Sequence, residues 1–172
     1  MSLPQYGPHA LLILLIAANI ILMKVLNAMT SRLKASGEKC GMVHFELAGN
    51  AEKAERIMEV WRKAGLEQTA RISLWLDFAF LLAYPLGLAL SCWALANGGS
   101  GWFAQAGVCI GFSVLACTPM DAAENMALLG MLDKGANDAA ARLAAICATI
   151  KFFLAGVAVL YVFIGLPLSL FS

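Results

Sequence analysis

Apolar residues run almost unbroken through four stretches of the chain, about 10–29, 71–96, 102–132 and 142–170, and thin out between the first and the second. Each stretch supplies the roughly 20 helical residues that the hydrocarbon core of a bilayer requires. None alternates with the period of two that marks a half-buried strand, and lipid admits only helices or closed barrels, because backbone N–H and C=O groups must be satisfied within the structure. The pattern predicts an all-α, polytopic membrane protein: a single membrane domain over residues 1–172, built as a four-transmembrane-helix bundle. The third and fourth stretches exceed what a perpendicular crossing needs, so they are expected to tilt or to project into water on the charged side.

The long polar connection holds a fifth helical pattern, about 50–64. Asn50 suits an N-cap, Glu52 the positive start of a helix and Gly65 its C-terminal turn. Ala54, Ile57, Met58 and Trp61 recur at helical spacing and make one apolar stripe on a charged helix. This predicts a cytoplasmic amphipathic surface helix lying flat on the membrane with Trp61 at headgroup depth. Such a helix either caps the mouth of the bundle or docks a partner. Just before it, Val43-His44-Phe45-Glu46-Leu47 alternates apolar and polar, which as an extended segment puts His44 and Glu46 on one face.

Composition confirms the membrane reading and adds exclusions. With 61% apolar and 13% charged residues, against roughly 45–50% and about 25% in soluble domains, a water-soluble monomer is excluded. A net charge of +1 without a basic run leaves nothing to track a phosphate backbone, so no nucleic-acid partner is expected. Outside the spans, Arg32, Lys34, Lys39, Lys53, Arg56, Arg62, Lys63, Arg71, Lys134 and Arg142 all fall on one side. The N-terminal tail, the turn at 97–101 and the C-terminus carry no Lys or Arg. The positive-inside rule then places both termini outside the cytoplasm, with the bacterial inner membrane as the expected location. The tail MSLPQYGPH lacks the charge of a secretory signal, so the first span is expected to remain in the mature protein. The five cysteines show no CxxC spacing, and no disulfide framework is expected.

Ionisable groups within spans are costly and face a bundle interior or a wet cavity. Lys24, Asp77, Asp121, Glu124 and Lys151, with the amide Asn125, all fall in the cytoplasmic half, roughly 8–17 Å deep at 1.5 Å per helical residue. Asp121, Glu124, Asn125 and Leu128 share one helix face, and Ser73, Asp77, Leu81 and Tyr84 make a similar stripe on the second span. Pro85 and Pro119 displace the carbonyls of Leu81 and Leu115 and are expected to kink their helices beside these acids. The span charges sum to −1 if ionised, or −2 with Glu46. Two carboxylates one turn apart in a low dielectric are not both charged cheaply, so one is expected to hold a proton. Lys151 is the expected counter-charge of one acid, and Lys24 is expected to snorkel to the headgroups.

Four functions fit this pattern. The first is an acidic pocket that binds a lipophilic or amphiphilic small molecule or a lipid, lined by Glu46, Asp77, Tyr84, Asp121, Glu124, Asn125 and Lys151. The second is a structural or accessory subunit whose acids meet a partner's bases. The third is an acid–base enzyme, an isomerase or hydrolase acting on a lipid-like substrate, with Glu124 as acid and Asp121 or Asp77 as base. The fourth is a proton- or cation-coupled transporter, weakened by the charge-free outer half. Membrane lipids are the expected surroundings, with a homodimer or a partner membrane subunit as further possibilities. Gly107 and Gly111 are spaced for close helix approach or dimerisation. No cofactor is called for: His9 and His44 lie outside the spans, excluding bis-histidine haem, and the Gly-rich turn at 97–101 lacks the lysine of a phosphate loop. A carboxylate metal site using Asp77, Asp121, Glu124 and His44 is a weaker alternative.

Three segments carry a resemblance: Phe45-Glu46-Leu47-Ala48-Gly49 ahead of the helix ending in Trp61, Leu76-Asp77-Phe78-Ala79-Phe80-Leu81-Leu82-Ala83-Tyr84, and Asp121-Ala122-Ala123-Glu124-Asn125. Together they look like a group of small uncharacterised bacterial four-helix membrane proteins. In layout alone the chain is similar to the sigma-2 receptor and emopamil-binding (EXPERA) family, whose members use acids within the membrane to bind sterol-like amines or to isomerise sterols. The resemblance implies a ligand pocket and transfers no individual site residue.

Overall fold

The structure, a computed structural model, describes residues 7–37 and 39–170, with side chains over 13–37 and 39–167. The N-terminal tail and the side chain of His9 lie outside the described residues. Among the described residues seven helices follow one another: α1 (Gly7–Ala35), α2 (Met42–Glu46), α3 (Ala51–Lys63), α4 (Glu67–Gly98), α5 (Gly101–Val114), α6 (Cys117–Lys134) and α7 (Asp138–Leu170). Four helical stretches of the described residues are long and apolar enough to cross a membrane: α1, α4, α5 with α6, and α7.

The third stretch is two helices in line. Its interruption at Leu115 and Ala116 falls four residues before Pro119, where the missing proline N–H was expected to free the Leu115 carbonyl. That carbonyl accepts instead from Thr118 N at 3.2 Å, a tighter turn. Pro85 leaves α4 continuous.

α4 is the central helix, packing against α1, α5, α6 and α7, while α6 and α7 pack on each other. Two apolar layers result. One, at the charged end, gathers Leu33, Phe45, Met58, Trp61, Leu74, Leu128, Met131 and Ala144; the other, at the opposite end, gathers Ala89, Cys92, Val114, Cys117, Ala158 and Tyr161. Between these layers α4, α6 and α7 place Asp77, Asp121, Glu124, Asn125 and Lys151, beside the apolar Leu81.

α3 forms where its sequence places it. Asn50 accepts a hydrogen bond from Lys53 N at 2.9 Å as the N-cap. Its stripe, however, is spent inside the protein: Ala54 and Trp61 are 0% exposed and Met58 1%. Trp61 donates its indole N–H to the Cys40 carbonyl at 2.7 Å and meets Phe45 edge-on at 5.1 Å. Trp61 therefore does not sit among headgroups; α1, α2 and α4 supply the apolar surface that lipid was expected to supply. The α6–α7 turn holds this helix in place, since Ala51 N donates to Asp138 Oδ1 at 2.8 Å and Ala136 N to Glu55 Oε2 at 3.3 Å.

Residues 42–46 are helical, not extended. Met42 and Phe45, three apart, turn into the core, and His44 is exposed. His44 and Glu46 thus share no face. The glycines Gly107 and Gly111 serve packing within the chain: a Cβ on Gly107 would collide with the Tyr161 phenol, and one on Gly111 with the Trp93 indole.

Candidate ligand site

The polar layer converges on Lys151. From α7 its ammonium contacts Asp121 Oδ1 of α6 and lies 2.9 Å from each carboxyl oxygen of Glu124. Glu46, the last residue of α2, brings Oε2 to 3.9 Å. Lys151 therefore meets three carboxyls, not one. Around it, Tyr84 donates its hydroxyl to Asp121 Oδ2 at 2.6 Å, and Asn125 donates its amide to Asp77 Oδ2 at 2.8 Å. Asp121, Glu124, Asn125 and Lys151 are all buried. The helical spacing explains the division of labour: on α6, Asp121 and Glu124 turn toward α7 and Asn125 toward α4.

Lys24 is not part of this cluster; it is exposed on α1. Glu46 joins in its place, because the α2 turn folds back beside α7. With Asp77 beside the three that Lys151 meets, the cluster then holds four carboxyls and one ammonium, a formal −3 instead of the −1 or −2 expected from the sequence. Burial pushes the Glu46 carboxyl up to about 7; Lys151 opposes that shift, while Asp77 and Asp121 add to it.

A cavity of about 530 Å³ reaches this cluster, a size within the roughly 300–1,000 Å³ of small-molecule sites. Its walls are apolar and come from helices on opposite sides: Ile16, Ile20 and Met23 of α1 face Phe152, Ala155 and Val159 of α7. Phe80, Gly87 and Leu88 of α4 form the floor between them. α1 packs on α4 and has little contact with α7, so the cavity occupies the gap between these two helices. Glu46, Asp77, Tyr84, Asp121 and Lys151 form its polar end.

Glu124 and Asn125 lie behind that surface. Glu124 is 0% exposed and reaches the cavity only through Lys151, and Asn125 only through Asp77. Sequence reasoning missed Asn19, Asn27 and Ser91, which also line the cavity. Asn19 donates to the carbonyls of Leu15 at 2.9 Å and Ala83 at 3.1 Å, tying α1 to α4. An amide within an apolar span was the available signal. No family model, curated protein or solved structure matches this chain, so the reading of function rests on the geometry itself.

Proposed function

We propose that this chain is a membrane protein that binds an amphiphilic small molecule or lipid, with the polar head against Glu46, Asp77 and Asp121 and the tail in the apolar gap between α1 and α7. The observation that carries the reading is the apolar-walled cavity ending on buried, charged side chains. A formal −3 favours a head that brings positive charge or hydroxyl donors. Membrane lipid is the tail's natural source of exchange, since the gap lies between two helices long enough to span. The one-sided Lys and Arg distribution orients the charged end, with α2 and α3, toward the cytoplasm and both termini away from it. A bacterial inner membrane fits that arrangement.

Acid–base catalysis draws less support from this site, because Glu124, the expected acid, touches Lys151 and does not face the cavity. The binding reading is tested by native mass spectrometry of the gently released protein beside Asp77→Asn. A discrete adduct that the substitution removes is the expected result. Bulk phospholipid, unchanged by the substitution, would overturn it.

A further inference from the structure

A second, smaller pocket of about 80 Å³ adjoins the main cavity on the side of the charged end. The two share Val43, Glu46 and Asp77, and the smaller is otherwise bounded by Leu26 and Thr30 of α1, Met42 of α2, and Ser73 and Leu74 of α4. Its volume has room for more than one water, and Thr30, Ser73 and the two carboxyls offer such waters hydrogen bonds. Glu46, with Val43 and Asp77, therefore stands between the amphiphile cavity and this smaller recess, whose polar groups are Thr30, Ser73 and the two carboxyls.

Glu46 is also the least committed acid of the cluster. Asp121 has Tyr84 and Lys151, Glu124 has Lys151, and Asp77 has Asn125. Glu46 Oε2 is buried with no hydrogen bond, and its nearest cation, Lys151, stands at 3.9 Å while serving two closer carboxylates. The charged groups facing it are Lys151 from α7, Asp77 from α4, and Asp121 and Glu124 from α6. The α1 residues lining both pockets are uncharged, the α3 residues packed in this layer are apolar, and His44 of α2 points outward.

Resting on the proposed binding function, we propose that Glu46 exchanges its proton for the positive charge of an amphiphile's cationic head, with the proton leaving through the small pocket between α1, α2 and α4. The exchange balances. The O–H bond of the Glu46 carboxyl breaks, a water in the recess takes the proton, and the arriving cation leaves the charge of the cluster plus its occupant unchanged. Binding of a cation is then linked to pH, tightening as pH rises through the range in which Glu46 titrates.

The test is calorimetry of the full chain in phosphatidylcholine nanodiscs, titrated with dodecyltrimethylammonium against empty nanodiscs. That head carries no exchangeable proton, so any proton released comes from the protein. Repeating the titration in buffers of different ionisation enthalpy counts it. At pH 5.5 close to one proton should be released per ligand and at pH 8.5 close to none. Between these values the apparent affinity should rise roughly 30-fold, as a carboxyl titrating at about 7 requires. Glu46→Gln should release no proton and show the same affinity at both pH values. Saturable binding with no proton release at pH 5.5 would overturn the exchange while leaving the binding site standing. No binding above empty nanodiscs at either pH would overturn the site and the exchange together. The wild-type titration decides the matter even where the substitution prevents folding.

Discussion

The hydroxyl of Thr118 donates to the carbonyl of Leu81 at 3.0 Å. That carbonyl is the one Pro85 leaves without its helical N–H donor, four residues on. A defect in α4 is thus repaired by a side chain from α6, one turn before Asp121, and the repair pins the two acidic helices at the height of the cavity. Orphaned backbone groups in lipid demand this kind of partner.

The pair gives a measurable cycle. Thr118→Val should cost about 1 kcal/mol of stability in detergent-micelle unfolding. In a Pro85→Ala background, where the helix supplies its own donor, the same substitution should cost much less.

Among the described residues, Lys151 is the only cation beside the three carboxyls it meets. Removing one partner of a buried charge cluster costs about 3–5 kcal/mol. Lys151→Met should therefore lower the unfolding free energy by about that amount, read from the shift in the denaturation midpoint, and adding Glu124→Gln should recover part of the loss. A single substitution with no effect would mean the ammonium is not buried among these acids.

The stability of the protein should also depend on pH through Glu46, whose folded-state value of about 7 lies above the ordinary 4.5. Between those values the folded state binds more protons than the unfolded one, so stability falls as pH rises from about 4.5 through 7. The whole span is worth at most about 3 kcal/mol. Glu46→Gln should flatten that slope, read by unfolding midpoints across this range.

Close packing at the far end supplies a matched pair of glycine tests. Gly107→Ala meets the Tyr161 ring and should destabilise by about 1–3 kcal/mol. Gly130→Ala, with nothing within 4 Å, should be neutral or stabilise by about 0.5–1 kcal/mol through helix propensity. Thermal unfolding of both variants reads the contrast.

Much of this arrangement is legible in the sequence because two periodicities state it. Continuous apolar stretches mark the four stretches of membrane length, and the spacing of Asp121, Glu124 and Asn125 puts all three on the buried side of α6. Proline chemistry at 119 locates the break at Leu115. The failures have a common cause: an apolar stripe says that a surface is buried without saying against what. Trp61 could face lipid or protein, and only the packing of Phe45 and Leu33 around it decides. Val43-His44-Phe45-Glu46-Leu47 is short enough to fit either a period of two or a single helical turn. The turn wins because it buries both Met42 and Phe45. That choice brings Glu46 to Lys151, which no local spacing encodes, since the two are joined only through the packing of α2 on α7.

The central claim, that an amphiphile lies in the gap between α1 and α7 with its head on the acids, is tested most directly by photo-crosslinking. An alkylammonium with a diazirine midway along its tail, activated in membranes containing the protein, should label Ile16, Ile20, Leu88 or Val159, which line the cavity. Asp77→Asn should reduce that labelling. Labels spread over outward-facing residues such as Leu82 and Phe163, exposed at 64% and 75%, and indifferent to the substitution would contradict it.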